Sequence, residues 1–345
     1  MLLLATMVVT AACGGTANQA PATAATGAPA QSAAAPVQRK ALKIGYLNVM
    51  DDAQAMLAKD AGLYDKHGLD VELQLFDSGT DLIKAIVGGQ LQAGVLGFTN
   101  AATWAAKGAD IKVVGGAQMG YHSILVKKGS GIKTVADLKG KRIASQQKGS
   151  TADIVLTGVV LPQAGLKPED VKVSYVSPAV AIQSLAAGQV DAAFVFEPYE
   201  QMATATADVE RIYEVGKVWP FPCMVVITSG KALQDREAID RMLDAQQGAI
   251  TMLQKQPKEA AQLLTKRFIQ EESLTSASGA KVAAVDVVQK AIESQMFHSD
   301  ITPDEVKRMQ ETVAMMVKQG VMTESIPVEK FLDLTWQQKQ GHTGH

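Results

Sequence analysis

Residues 185–199 read LAAGQVDAAFVFEPY, and residues 86–100 read IVGGQLQAGVLGFTN. Each is the end of a helix, a glycine–glutamine turn, a run of small and branched apolar residues, and the start of a further element. Laying Gly188 on Gly89 gives an offset of 99. At that offset Ser78 falls on Ser177, Ile83 on Ile182, Gln90 on Gln189 and Ala93 on Ala192. Both serines stand where a helix N-cap belongs, ahead of SGTDLIKAIVGG (78–89) and SPAVAIQSLAAG (177–188). Their hydroxyls can accept from free first-turn N–H groups, and the glycines suit the helix ends. Any helix–glycine–strand unit looks broadly similar, but capping serines in register point to two lobes of shared architecture.

The rest of the chain agrees. ALKIGYL (41–47), LDVELQLF (69–76), LQAGVLGF and IKVVGGA read as strands, separated by helices within 52–68 (ending near Gly62) and at 78–89 and 99–108. After YHSILVKK (121–128) the pattern restarts. TVADLKGKRIA (134–144) is a capped turn and a strand, 149–165 a helix, VKVSYV a strand, 177–188 a helix, and VDAAFVF a strand. Such alternation predicts an α/β fold. From about 229 onward the chain reads as helical, with candidates at 235–254, 257–268, 279–294 and 302–319. Ligands of open α/β sheets bind beyond the carboxyl ends of the strands, so two such edges facing each other predict a cleft.

A chain of 345 residues has room for two lobes of ordinary size. Net charge is −2 without a basic cluster, which argues against nucleic acid as a partner. MLLLATMVVTAAC is a short apolar run ending in small residues and a cysteine; it resembles a bacterial lipoprotein signal, with Cys13 the lipidated residue. It is too short to span a membrane, which takes roughly 20 apolar residues. No Lys or Arg precedes it, so the natural start is expected upstream of Met1. Residues 14–38, rich in Ala, Pro, Thr and Gly, read as a flexible tether. With Cys13 lipidated, Cys223 has no partner for an intramolecular disulfide, and its β-branched surroundings mark it as a buried apolar residue. The expected organisation is a signal (1–12), an anchor and tether (13–40), a first lobe (41–126 plus about 222–345) and a second lobe (127–221).

FDSGTDLIKAIVGGQLQAGVLGFTN, IKTVADLKGKRIASQQKGSTADIVL, AGLKPEDVKVSYV and LAAGQVDAAFVFEPY together resemble the nitrate/sulfonate/taurine type of solute-binding proteins that serve ABC importers. The likeness covers about residues 41–230. It implies a type 2 periplasmic-binding-protein fold: two α/β lobes joined by a hinge, with a helical C-terminal region. It also implies capture of a small solute, delivery to a membrane permease and its ATPase, action as a monomer, and a location at the outer face of the cell membrane. No cofactor, metal ion or catalytic residue is expected.

By that resemblance and by strand-end logic, the first lobe offers Asp51, Asp52, Ser78, Gly79, Thr80, Thr99 and Asn100 to the solute. Tyr121, His122 and Ser123 stand near the crossover. The second lobe offers Ser150, Thr151, Ser177 and Glu197. Several sit at helix N-termini, where the dipole and free N–H groups favour an anion; the same serines also satisfy ordinary capping patterns. Glu197 would repel a bare anion and suits an amino-sulfonate, or an aminopyrimidine or other heterocycle stacked on Tyr46, Phe98 or Tyr121. Nitrate or bicarbonate is the remaining alternative for the solute. Hinges are expected at 124–129 and 217–224.

Other function classes find less support. The five histidines are scattered, without a metal-ligand motif, and there is no P-loop, nucleophile elbow or dinucleotide fingerprint. Enzymes of this fold that make a pyrimidine precursor carry a cysteine-rich motif, which this chain lacks. A regulatory effector would need a DNA-binding domain in front. A sensor would need a membrane-spanning helix.

Overall fold

The computed structural model describes residues 39–341. Cys13, the tether and the terminal histidines of GHTGH lie outside the described residues. The strands are, in chain order, β1 (Lys40–Leu47), β2 (Leu69–Phe76), β3 (Ala93–Gly97), β4 (Lys112–Met119), β5 (Ser123–Lys127), β6 (Arg142–Ser145), β7 (Lys172–Tyr175) and β8 (Ala192–Val195). They continue with β9 (Val209–Glu214), β10 (Pro222–Thr228), β11 (Ser273–Thr275), β12 (Lys281–Ala283) and β13 (Met296–Phe297). Two mixed sheets result, ordered β13-β4-β10-β3-β1-β2 and β7-β6-β8-β5-β9, with β11 and β12 as a separate pair.

The repeat persists in three dimensions. β1 pairs with β3 through Ile44↔Ala93 and Gly45↔Gly94. β6 pairs with β8 through Ile143↔Ala192 and Ala144↔Ala193, the same register moved by 99 residues. An antiparallel strand follows in each sheet, β10 beside β3 and β5 beside β8. The strand entrances are pinned alike. Lys43 N donates to Gln92 Oε1 (2.8 Å), and Arg142 N donates to Asp191 Oδ2 (2.8 Å). Ser78 caps the helix Gly79–Val87 by accepting from Asp81 N, and Ser177 caps Pro178–Ala186 by accepting from Val180 N. Both helices close on a left-handed glycine, Gly89 (φ 74°) and Gly188 (φ 73°), a conformation that costs a residue with a Cβ.

The helix expected within 52–68 ends near Gly62, as expected: it spans Ala53–Asp60, Gly62 is left-handed (φ 66°), and a short helix Leu63–Lys66 follows. Other expectations shift. The helix expected at 149–165 begins at Thr151 but opens into a π-turn at Leu156–Val160. The segment expected as helix 279–294 starts as strand β12 and becomes helical only over Ala284–Glu293. The other C-terminal helices, Arg236–Lys255, Pro257–Phe268 and Pro303–Lys318, lie within a residue or so of the expected spans.

The crossovers between sheets are residues 120–122, ahead of the expected 124–129, and 215–221, which overlaps the expected 217–224 at 217–221. Ile124–Lys127 lie within β5, and Pro222–Met224 within β10, because each apolar run already pairs in the sheet the chain has just entered. The two crossovers are bonded to each other, Gly120 N to Phe221 O (2.8 Å) and Val215 N to His122 O (2.7 Å). Aromatic rings rest on glycines there. A Cβ on Gly120 would lie 2.0 Å from the Phe221 ring, and one on Gly216 would lie 2.3 Å from the Tyr121 ring.

Candidate functional site

The carboxyl ends of the two sheets border one cavity of about 1110 Å³. Leu47, Phe76 and Gly97, at the ends of β1, β2 and β3, line it from one side; Gln146, Val176 and Phe196, just past β6, β7 and β8, line it from the other. The helices Gly79–Val87, Phe98–Ala106 and Pro178–Ala186 start at its walls, and with them come uncommitted N–H groups and the positive ends of their dipoles.

Asp51, Ser78, Gly79, Thr80, Asn100, His122, Ser150, Thr151 and Ser177 all line this cavity. Their hydroxyls are largely engaged. Ser78 Oγ accepts from Asp81 N and donates to Asp81 Oδ2 (2.9 Å), and Ser150 Oγ accepts from Asp153 N (3.3 Å). Asp153 also accepts from Gly149 N (2.8 Å) and from Tyr175 Oη (2.8 Å), which shapes the 146–150 loop. The serines therefore shape the helix starts, and backbone N–H groups are left to meet a ligand.

Asp52, Thr99, Tyr121, Ser123 and Glu197 are not among the lining residues. Asp52 is fully buried and accepts from Leu47 N (2.8 Å), tying down the turn after β1. Thr99 Oγ1 lies 2.7 Å from Thr151 Oγ1, a hydroxyl pair between the two lobes. Tyr121 packs on Gly216, and Ser123 donates to buried Glu200. Glu197 is 1% exposed; its carboxylate accepts from Gln201 N (3.1 Å) and from Ser294 Oγ (2.9 Å), half cap and half tie to the C-terminal helices. Burial, with Glu200 close by, pushes its carboxyl well up. Of the rings expected to stack on a solute, Tyr46 carries Arg267 over its face, Phe98 stacks on Phe331, and Tyr121 is engaged as above; none lines the cavity.

Of the two carboxyl groups that line the cleft, Asp77 is exposed and Asp51 is buried. It is 5% exposed, and burial pushes it up to about 7. His122 beside the cavity is 4% exposed; burial pushes it down to about 4, so the ring is neutral at pH 7. The thiol of Cys223, which also lines the cavity, is raised by burial and by Asp51 and Asp52, and is held protonated.

Sequence reasoning passed over Gln146, Lys148, Trp104, Tyr175, Phe196 and Tyr199, all in the lining. The repeat contains a signal for the first of these: Gln146 is 99 residues beyond Leu47, at the same strand end. Phe196 and Tyr199 flank Glu197 in FVFEPY, and their rings meet edge to face at 5.6 Å.

The sequence profile of the NMT1-like family matches residues 35–268. A Brucella abortus protein provisionally named a binding protein is 26% identical over 247 residues, covering 70% of this chain and 75% of its own. Among solved structures, the periplasmic aliphatic sulphonate binding protein of Escherichia coli superposes with a TM-score of 0.73 at 24% identity, over 86% of this chain and 98% of that one. The alkanesulfonate-binding protein of Xanthomonas axonopodis pv. citri, bound to MOPS, gives 0.71 at 25% identity, over 88% of this chain and all (100%) of that one.

Proposed function

The chain belongs to the NMT1-like family, and from that premise we propose that it is the solute-capturing subunit of an ABC importer. It takes up a small organic anion or zwitterion of the sulfonate or taurine kind between its lobes. It then presents the solute to a membrane permease and its ATPase. It works as a monomer outside the cytoplasmic membrane, held there by lipid on Cys13 and a flexible tether.

The observation that carries this reading is the cavity of about 1110 Å³ bordered by both sheets, with helix starts from both lobes at its walls. That volume lies just above the usual range for an organic ligand site, roughly 300–1,000 Å³. Helix N-termini and the exposed Lys148 favour an anionic group. The rings of Trp104, Tyr175, Phe196 and Tyr199 offer apolar surface to the rest of the molecule, which also favours a heterocyclic solute. Binding rather than catalysis fits the lining, since burial holds the Cys223 thiol protonated.

Closure over the solute would turn on residues 120–122 and 215–221. Isothermal titration of the full chain with ethanesulfonate, taurine, 4-aminobenzenesulfonate, nitrate and bicarbonate tests the reading. One-to-one saturable binding of an organic sulfonate is expected. A flat response to every sulfonate would overturn it.

A further inference from the structure

Within the cleft, the most buried polar side chains are left with atoms that nothing in the protein satisfies. Asp51, His122 and Gln146 line the cavity at 5%, 4% and 9% exposure. Asp51 Oδ1, His122 Nδ1 and Gln146 Oε1 each lack a hydrogen-bond partner. Leaving such an atom buried and unpaired is costly, and most buried polar atoms in folded proteins are paired. Unpaired buried atoms occur elsewhere among the described residues too, but these three gather around one cavity, where a ligand can supply the missing partners.

Their chemistry says which partners. Gln146 Nε2 donates to Phe194 O (2.8 Å), so the amide is fixed with its carbonyl oxygen free, an acceptor. Asp51 contributes a carboxyl oxygen, an acceptor when ionised. The His122 ring is held by stacking on Phe194 (5.4 Å between centroids) and by the edge contact with Phe196 (5.7 Å). Neutral, it accepts at one nitrogen. The set is rich in acceptors. A bare anion such as nitrate has only acceptors to offer in return, and an unsubstituted alkanesulfonate has only an apolar tail.

We infer that this buried part of the cleft reads an amino group of the solute, with Asp51 as its principal partner and Gln146 as a second acceptor. The inference rests on the cleft's being the solute site. It narrows the solute to molecules carrying an anionic group at one end and an N–H donor at the other. The helix starts and Lys148 meet the anion, while Asp51, Gln146 and His122 meet the amine. Sites built to hydrogen-bond a polar group reject analogues lacking it because their own buried atoms are then unpaired.

The test uses matched pairs differing by one amino group, titrated into the full chain: taurine against ethanesulfonate, and 4-aminobenzenesulfonate against benzenesulfonate, with benzylamine as an amine without an anion. The aminated member of each pair should bind at least about tenfold tighter, one lost charge-assisted hydrogen bond being worth more than that factor. In Asp51→Asn this preference should shrink severalfold. Gln146→Leu carries the same test should the first variant fail to fold. Sulfonates that bind without regard to the amine, or a preference that survives in both variants, overturn the inference and leave the anion-binding reading standing. Benzylamine binding without any sulfonate upholds the inference and overturns the anionic half of that reading. No binding by any probe overturns both.

Discussion

Beneath β1 and β3, the Leu82 side chain lies where Cβ atoms on Gly45 and Gly94 would come within 2.8 and 2.5 Å of it. Ninety-nine residues on, beneath β6 and β8, the same three positions are Ala181, Ala144 and Ala193, all buried in one cluster. One lobe sets a large side chain against two bare backbones; the other divides the space among three methyl groups. The pairing scheme tolerates either solution because what a packed layer conserves is total volume, not the identity of each residue. The strand ends differ in the same paired fashion. Asp51 in the first lobe stands where Ser150 stands in the second, and Leu47 where Gln146 stands. Equivalent backbone thus presents a carboxylate from one side of the cleft and hydroxyl and amide groups from the other, so the two walls are chemically unlike.

The comparison can be broken most forcefully at Leu82. Leu82→Ala should destabilise by about 2–5 kcal/mol, seen as a lower urea midpoint at unchanged slope. Ala181→Leu in the other lobe should cost about 1–3 kcal/mol by overpacking instead.

Next in size, Gly94→Ala should cost about 1–3 kcal/mol alone. In the Leu82→Ala background it should cost markedly less, since the new methyl enters the space Leu82 vacates. Strict additivity in that double-mutant cycle would refute the volume exchange.

Glu197 occupies the position held in the first lobe by apolar Phe98. Its carboxyl is raised in the folded state, chiefly by burial. The folded chain therefore holds a proton that the unfolded chain releases once the pH exceeds the ordinary carboxyl value of 4.5, and stability falls as pH rises above it. Glu197→Gln should remove that penalty, stabilising by on the order of 1 kcal/mol at pH 8 and by little at pH 4. Thermal unfolding across that range gives the sign.

The smallest effect is expected at the strand pins. Arg142 holds Asp191 down to about 2, whereas its counterpart Gln92 does not titrate. The stability Asp191 contributes is present above the ordinary carboxyl value and is lost as pH falls through about 2. Asp191→Asn should slightly flatten the acid limb of stability against pH, and Gln92→Asn should leave its shape unchanged.

Much of this was legible in the linear chain. The capping serines, the glycines closing their helices and the 99-residue offset all reappear as bonds and register. What misled was proximity in sequence to a strand end. Asp52 follows Asp51 directly, yet only Asp51 faces the cavity, because the turn at Met50–Asp52 sends Asp52 back to the Leu47 amide. Glu197 sits in the motif most diagnostic of the lobe, yet Ser294, 97 residues onward, and Gln201 hold it out of the cleft.

Caps, strand alternation, glycine turns and the repeat were determined by the sequence alone, because each depends on neighbours a few residues apart or on counting along the chain. The tertiary structure decided which side chains share the cleft, which carboxyls stay buried beside it, and where the chain crosses between sheets. Those outcomes depend on segments about a hundred residues apart being packed together, and on burial, which no single segment carries within itself.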